Sequence, residues 1–271
     1  MARILQITDP HVVVPPRLVS GRLDTARLLQ SAVARIKQDW ARFAPIDIIV
    51  VTGDITDDGG EDSFRLFRSV MADLPVPVLV IPGNHDLREP LRACFGDAAF
   101  MPPTGRINWV HDLCDLRIVG LDTMIEGQGG GVVDSGTLEF LSDALAESGE
   151  KPVLIAMHHP PFASGIAFMD AIGLAGIPAL AGVLSQAKAE VRIICGHVHG
   201  TIVGTVGGHV AISSAAVCSA FPADYRRDAP VGFTINPGGY MIHSWDGCFR
   251  SAAVSLGDAD GPHPFQTPET A

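Results

Sequence analysis

The sequence predicts a layered α/β sandwich, and three features lead to this fold class. Six short apolar runs, rich in β-branched residues, are typical of buried strands. Amphipathic helical patterns lie between several of these runs, and strands that are apolar on both faces need cover on both. After residue 200 the pattern changes to hairpins. Because no linker interrupts this order, we expect one domain over residues 1–256 and a disordered tail over 257–271.

The predicted strands are mostly unbroken apolar runs of four to six residues. They lie at Ile4–Ile7, Ile46–Val51, Val78–Ile81, Ile118–Leu121, Val153–Met157 and Val191–Cys195. Such runs are typical of parallel strands in the middle of a sheet.

Three helices and two hairpins complete the predicted elements. Asp24 can cap a helix whose apolar face holds Leu29, Ala32, Val33, Ile36, Trp40 and Phe43. A second helix carries Phe64, Phe67, Val70, Met71 and Leu74, and a third carries Leu138, Leu141 and Leu145. Gly207-Gly208 and Asp246-Gly247 predict two hairpin turns.

Composition excludes several classes of function. Thirty acidic and 19 basic residues give a net charge of −11, and no Lys/Arg run is present, so we expect no grip on a nucleic acid polymer. No apolar run approaches the roughly 20 residues of a membrane helix, and the chain enters a strand directly, so we expect a cytoplasmic protein without a membrane partner. Five dispersed cysteines indicate neither a disulfide framework nor a thiolate zinc site.

Polar side chains follow five of the six predicted strands directly. They are Asp9 and His11, Asp54, Asn84 and His85, His158 and His159, and His197 and His199. In an α/β sheet, ligands bind in the crevice beyond the carboxyl ends of the strands. We therefore expect these residues to meet in one pocket.

The chemistry of this set is that of metal ligands. Imidazoles, carboxylates and one amide oxygen, without a thiolate, suit Zn, Mn, Fe or Co. On an extended segment, Asp9 and His11 would point the same way, as would His197 and His199. The neighbouring Gly53, Gly83, Gly196 and Gly200 predict turns with positive φ or a close approach of the backbone to the site.

Taken singly, most of these motifs have an ordinary structural explanation. An Asp-x-His pair after a strand occurs by chance, and the His-His-Pro-Pro stretch after Met157 is compatible with a surface loop. Asn84-His85-Asp86 and Gly196-His197-Val198-His199 are more specific, because paired polar residues bracketed by glycines have little use in a core. All five motifs in this order favour a metal site.

The ordered motifs resemble those of the calcineurin-like metallophosphoesterase superfamily. The resemblance rests on Asp9-x-His11, Gly53-Asp54-x-x-Asp57, Gly83-Asn84-His85-Asp86, His158 and Gly196-His197-Val198-His199, and it spans nearly the whole chain. Within the superfamily, the chain resembles the bacterial cyclic-nucleotide and glycerophosphodiester phosphodiesterases. This resemblance implies a four-layered αββα sandwich of two mixed sheets flanked by helices, with two divalent metal ions (Mn, Fe, Zn or Co) per chain.

The resemblance also implies a role for each residue. Asp9, His11 and His199 would hold the first metal, and Asn84, His158 and His197 the second. Asp54 would bridge the two, at the spacing at which one ion activates water while both bind phosphate oxygens. The implied reaction is hydrolysis of a small phosphodiester, such as cAMP or a glycerophosphodiester, by a metal-activated hydroxide, with Asp54, Asn84 and His85 as catalytic residues.

Three nearby residues have roles that the sequence leaves open. His85 is expected to protonate the leaving alkoxide or to orient the phosphate. Asp86 either orients that imidazole or caps a turn, and His159 either donates a hydrogen bond near the metals or faces solvent. His111, His209, His243 and His263 are expected to be structural or surface residues.

Substrate and partners are predicted less closely. Phe162, Ile166, Phe168 and Met169, within the apolar segment 162–180, either wall a substrate pocket or pack in the core. By the resemblance, residues 213–240 take part in dimer contacts, so a homodimer or higher homo-oligomer is expected. Asp57 stands where purple acid phosphatases carry a ligating tyrosine, which argues against a tyrosinate site. A non-catalytic metal-binding scaffold and a nuclease of the same superfamily remain alternatives.

Overall fold

The computed structural model describes residues 1–265 and contains thirteen strands and six helices in that range. The strands are β1 (Ala2–Ile7), β2 (Ile48–Thr52), β3 (Val78–Ile81), β4 (Trp109–Asp112), β5 (Arg117–Leu121), β6 (Gly131–Val132), β7 (Val153–Met157), β8 (Leu174–Ala175), β9 (Val191–Cys195), β10 (Val203–Val206), β11 (His209–Ser213), β12 (Gly239–Trp245) and β13 (Phe249–Ser255). The helices are α1 (Thr25–Phe43), α2 (Glu61–Met71), α3 (Arg88–Phe95), α4 (Ser135–Ser148), α5 (Ala167–Asp170) and α6 (Ile177–Leu184).

Two mixed sheets form the centre of the sandwich. The five-stranded sheet has the order β13-β12-β1-β2-β3, and β1, β2 and β3 are parallel. The six-stranded sheet has the order β10-β11-β9-β7-β5-β4, and β11, β9, β7 and β5 are parallel. The antiparallel hairpins β10–β11 and β12–β13 turn at the predicted Gly207-Gly208 and Asp246-Gly247 pairs.

Burial on both faces explains why the strands are apolar throughout. In β7, Leu154 and Ala156 pack in the large core that joins the two sheets with α1, α2 and α3. Val153, Ile155 and Met157 face the opposite way and pack with α4 and α6. Because side chains alternate along a strand, each sheet contributes to two layers of core. The predicted four-layered α/β sandwich is thus confirmed.

Most boundaries agree with the sequence, and the differences have local causes. The second predicted strand begins at Ile48 rather than Ile46, and the second helix ends at Met71, so Leu74 lies in the turn that follows. Asp24 caps α1 as predicted, accepting a hydrogen bond from the Arg27 backbone at 3.1 Å. The short elements α3, α5, α6, β4, β6 and β8 were not predicted, because each is too short for a clear periodicity.

The end of the chain follows β13. Residues 257–265 contain no helix or strand and are mostly exposed. The rest of the predicted tail, residues 266–271, lies outside the described residues. No helix within residues 1–265 combines the length and the apolar character that a membrane span requires.

Candidate metal centre

The polar residues after the strands converge at one edge of the sandwich, and both sheets contribute. Loops after β1, β2 and β3 carry four of the predicted ligands, and loops after β7 and β9 carry three. From the five-stranded sheet come Asp9, His11, Asp54 and Asn84, and from the six-stranded sheet come His158, His197 and His199. All are buried except Asn84, which is partly exposed.

The backbone at these positions is left-handed rather than extended. Asp9, His11, Asp54, His197 and His199 all have φ between 46° and 70°. The expectation that Asp9 and His11, and likewise His197 and His199, lie on extended segments is therefore wrong. The loops are instead joined by backbone hydrogen bonds, from His11 to the Asp54 carbonyl at 2.9 Å among others. Non-glycine residues in this conformation are typical of functional sites.

Two glycines let the loops approach the site closely. Gly53 has a φ of 92°, and a Cβ there would lie 2.7 Å from Cγ of His158. A Cβ on Gly196 would lie 2.6 Å from Oδ2 of Asp9. Both positions therefore require glycine, as the motifs predicted.

The first group of side chains consists of Asp9, His11 and His199, with Asp54 beside them. His11 Nε2 lies 3.3 Å from His199 Nε2 and 3.4 Å from Asp54 Oδ2. His199 Nε2 lies 3.4 Å from Asp9 Oδ1. One potential ligand atom each from Asp9, His11 and Asp54 lies within 4.8 Å of the others, which is compact enough to hold a metal ion.

The second group consists of Asn84, His158 and His197. His158 Nε2 lies 3.1 Å from Asn84 Oδ1 and 3.4 Å from Asp54 Oδ2. His158 and His197, together with His159, place one ring nitrogen each within 4.8 Å of one another. Asp54 is thus the only predicted ligand whose carboxylate oxygen lies within 3.4 Å of an imidazole from each group.

Hydrogen bonds determine which imidazole nitrogen is left for a metal. His158 Nδ1 donates to the Thr52 carbonyl at 2.8 Å, and His199 Nδ1 lies 3.1 Å from the Ser219 hydroxyl. Both arrangements leave Nε2 for coordination. His197 is reversed, because its Nε2 donates to the Ile172 carbonyl at 3.1 Å and leaves Nδ1. This outer support is typical of metal-binding histidines, so the residues fit a pair of divalent ions.

The electrostatics of the centre reflect strong attraction between its carboxylates and imidazoles. Burial opposes ionisation of Asp54, but the charges of His158 and His11 hold its pKa well below the usual range. Burial likewise opposes protonation of His158, but Asp54 raises its pKa to about 9. Burial and the charge of His158 lower the pKa of His197 to about 4. Buried carboxylates held ionised in this way suit a cation.

Asp57 belongs to the centre, although the sequence analysis gave it no role there. Its Oδ1 accepts a hydrogen bond from His11 Nδ1 at 3.1 Å and lies 3.4 Å from His85 Nδ1. Burial raises the pKa of Asp57, but the hydrogen bond and charge of His11 outweigh this and lower it. The residue was visible in the Gly-Asp-x-x-Asp motif, yet its distance from the imidazoles depends on the fold.

Asp86 does not orient His85 from behind. Its buried carboxylate accepts hydrogen bonds from the backbone of Gly83 at 2.8 Å, Ile55 at 3.1 Å and Thr56 at 2.9 Å, and from the Thr56 hydroxyl. Asp86 therefore ties the loop after β3 to the loop after β2. Of the two interpretations open from the sequence, the turn cap agrees with these contacts.

Two further predictions concern histidines near and away from the centre. His159 does not face solvent. It is buried, and its ring packs against the rings of His158 and His197. His243 is also buried, between Gln6 and Ser251, far along the chain from the motifs. His209 Nε2 donates to the Leu184 carbonyl at 3.0 Å, and His263 is exposed.

Of the four apolar residues singled out after His158, two are buried and two are half-buried, so they pack in clusters rather than facing solvent. Ile166 and Met169 are buried in a small cluster with Val198, and Phe168 packs beside them against Phe221. The Phe221 ring stacks on His199 with centroids 4.2 Å apart, so this cluster adjoins the first group of side chains. Phe162 packs against the core of the six-stranded sheet instead.

Cys218 also lies beside the first group. Its sulfur and one nitrogen each of His11 and His199 lie within 4.8 Å of one another. Burial raises the pKa of the Cys218 thiol.

Comparisons with known proteins agree with this architecture. Residues 2–201 match the family model described as calcineurin-like phosphoesterase. The chain is 29% identical over 265 residues to a protein of Arcobacter nitrofigilis named "Probable glycerophosphodiester phosphodiesterase GpdQ", over 97% of this chain and 96% of that protein. It is 32% identical over 197 residues to the 3′,5′-cyclic adenosine monophosphate phosphodiesterase CpdA of Pseudomonas aeruginosa, over 72% and 69% of the two chains. A dimetal phosphatase from Danio rerio shares the fold, with a TM-score of 0.63 at 18% identity over 94% of this chain and 98% of that one.

Proposed function

Because the chain belongs to the calcineurin-like phosphoesterase family, a family of metal-dependent hydrolases, we propose that it is a dinuclear phosphodiesterase acting on small diesters. Relatives named as glycerophosphodiester and cyclic AMP phosphodiesterases support a substrate of one of these two types. The cytoplasmic location and the homo-oligomer stay predictions from the sequence.

One observation carries the proposal. Oδ2 of Asp54 lies 3.4 Å from His11 Nε2 and 3.4 Å from His158 Nε2, and these imidazoles belong to different groups. A single carboxylate placed between two ligand clusters is the arrangement that a two-metal phosphoesterase needs. Asp9, His11 and His199 would hold one ion, Asn84, His158 and His197 the other, and Asp54 would serve both.

Two bound divalent ions would supply Lewis-acid chemistry, polarising the phosphate and lowering the pKa of the attacking water. The chain's own contribution is to hold the ligands rigidly and nearly dry. Asn84 adds an oxygen ligand without adding negative charge, which leaves the second position more electrophilic than a carboxylate would.

His85 is the residue best placed to handle a proton. Its backbone N–H donates to Asp54 Oδ1 at 2.9 Å, which fixes it beside the two groups, and its side chain is 41% exposed. Its Nδ1 lies near both Asp57 Oδ1 and the Asp57 carbonyl, at 3.4 and 3.3 Å. With Nδ1 directed at Asp57, Nε2 can give a proton to the leaving alkoxide.

The first experiment is hydrolysis of a chromogenic aryl phosphodiester and of its matching monoester. The protein is stripped with chelator and reloaded separately with Mn²⁺, Zn²⁺, Fe²⁺ and Co²⁺. We expect metal-dependent turnover of the diester, with loss of turnover in Asp54→Ala and Asn84→Ala. Asp58→Asn is the matched control, since Asp58 adjoins the same loop but pairs with Arg17 at 2.6 Å.

A second assay identifies the natural substrate class. Cyclic AMP and glycerophosphodiesters are offered to the loaded enzyme under the same conditions, and kcat/KM is compared. Metal binding without turnover of any ester would contradict the proposal and favour the non-catalytic scaffold.

A further inference from the structure

We propose that His159 is a positioning residue for the second metal group, and that the small two-stranded sheet β6–β8 holds it in place. In this arrangement His159 raises the affinity of the Asn84, His158 and His197 group for a divalent ion. The first group, with Asp9, His11 and His199, does not depend on it. The inference rests on the proposed function, because it presupposes two metal positions.

The His159 ring fills the space against both histidines of the second group. It is fully buried, and its centroid lies 4.9 Å from that of His158 in a T-shaped arrangement and 4.5 Å from that of His197. A buried ring packed on two others limits the rotamers that those two can adopt. His159 therefore confines the orientations of His158 and His197.

Both nitrogens of His159 are already in use. Nε2 lies 3.2 Å from the Gly129 carbonyl, which can only accept, so this nitrogen carries the hydrogen. Nδ1 lies 2.8 Å from the Thr123 hydroxyl, which then donates to it. His159 thus has no lone pair left for a metal, although it stands within 4.8 Å of His158 and His197. Its place in the centre is that of a support.

The sheet β6–β8 links this support to His197. Gly131 N–H donates to the Gly173 carbonyl at 3.1 Å, so the segments 129–132 and 172–175 are paired. The first segment supplies the Gly129 carbonyl to His159, and the second supplies the Ile172 carbonyl to His197. The same small sheet therefore orients both rings, and the Ile172 carbonyl directs the Nδ1 lone pair of His197 toward the centre.

Gly131 gives a way to move the ring without removing it. An added Cβ would lie 2.6 Å from Cγ and 2.7 Å from Cε1 of His159, while the φ of Gly131 lies outside the left-handed region. The three atoms nearest to an alanine Cβ there all belong to this ring, which is itself enclosed by His158, His197 and Thr123. Gly131→Ala should displace His159 and weaken the second group alone.

The test is Mn²⁺ binding to the chelator-stripped full chain. Calorimetry measures the two affinities, and electron paramagnetic resonance detects the spin-coupled Mn pair. We expect Gly131→Ala and His159→Ala each to weaken the second Mn²⁺ about 10- to 100-fold, with first-site affinity unchanged, the effect typical of removing support from a metal ligand. The double variant should be no weaker than His159→Ala, because Gly131→Ala acts only through the ring. Thr123→Val, which removes one hydrogen bond, should shift the second affinity in the same direction.

The control is Gly136→Ala, the same change at a position in α4 where the nearest atom would be 3.8 Å away. Unchanged second-site affinity in both single variants, equal weakening of both sites, or additive effects in the double variant would each overturn the inference. If the wild-type chain itself binds a single Mn²⁺, the proposed function fails instead. The two failures are therefore distinguishable.

Discussion

At the scale of single residues, His85 differs from the other polar residues of the centre because it is exposed and is not expected to bind metal. Its contacts with Asp57 involve Nδ1 and leave Nε2 for the proton transfer proposed above. Asp86 shows the opposite case, because its carboxylate already accepts hydrogen bonds from three backbone N–H groups and the Thr56 hydroxyl. Two neighbouring residues of one motif thus have different surroundings, an exposed imidazole and a buried carboxylate that ties two loops together.

His85→Asn should lower kcat about 10²- to 10⁴-fold for diesters with alkoxide leaving groups, because these need a proton on departure. The loss should be smaller for an aryl diester, whose leaving group departs as a stable anion. The measurement is kcat for both diesters in Mn²⁺-loaded protein, with metal content determined for each variant.

Asp57→Asn should shift the ratio of kcat for the two diesters in the same direction but less, since it weakens the orientation of His85 without removing the imidazole. Metal content is determined for this variant too, because Asp57 also accepts a hydrogen bond from His11. Asp58→Asn is again the control. An equal loss of kcat for both leaving groups would assign His85 to substrate binding rather than proton transfer.

At the scale of elements, local hydrogen bonds explain where the longest helix begins. Helix α1 starts after Asp24, whose carboxylate accepts from the backbone N–H of Arg27. Its buried face, which includes Leu29, Val33 and Ile36, packs against the five-stranded sheet. The cap and the apolar stripe thus both predict the helix that the structure contains.

Asp24→Ala should lower the free energy of unfolding by about 1 kcal/mol, because an N–H at the helix start loses its acceptor. Urea denaturation of metal-free protein measures this. Asp24→Asn retains an acceptor oxygen and should stay close to wild type; an Asn variant as unstable as Ala would show that the charge, not the cap, is what matters.

At the scale of the whole molecule, a buried polar network joins the two sheets beneath the metal centre. The Gln6 amide in β1 donates to Thr52 at 2.8 Å in β2 and to the Cys195 carbonyl at 3.0 Å in β9, and its oxygen accepts from His243 at 2.9 Å. Cys195 immediately precedes the loop of His197. The network therefore sets the position of one sheet against the other where the ligands meet.

This network predicts a pH dependence of stability. Burial, and then the charge of Arg192 on β9, lower the pKa of His243 to about 3, while its other neighbours, Gln6 and Ser251, are neutral. The native state thus keeps His243 unprotonated where the unfolded chain, with a pKa of about 6.5, takes up a proton. The stabilisation that comes from keeping His243 neutral is fully present above pH 6.5 and is lost as the pH falls toward 3.

Compared with His243→Gln, the wild-type chain should lose up to about 1.4 kcal/mol more unfolding free energy per pH unit below pH 6. Urea denaturation of metal-free protein at pH 7, 6, 5 and 4 measures the difference. Parallel curves for the two proteins would mean that His243 is protonated in the native state.

The sequence by itself determined the alternation of strands and helices, the hairpin turns and the set of ligand residues after the strands. These features depend on local periodicity, turn chemistry and residue type, which are written along the chain. Even the crevice at the strand ends follows from them, since parallel strands place their carboxyl ends together.

Only the tertiary structure decided what each polar residue touches. It showed that Asp57, not Asp86, lies at His85, that His159 is buried against His158 and His197, and that the loops are left-handed. His11 and His199 meet across 188 positions of sequence. Contacts between such distant residues depend on how two sheets pack and on strain that the whole fold supports, and no local pattern records either.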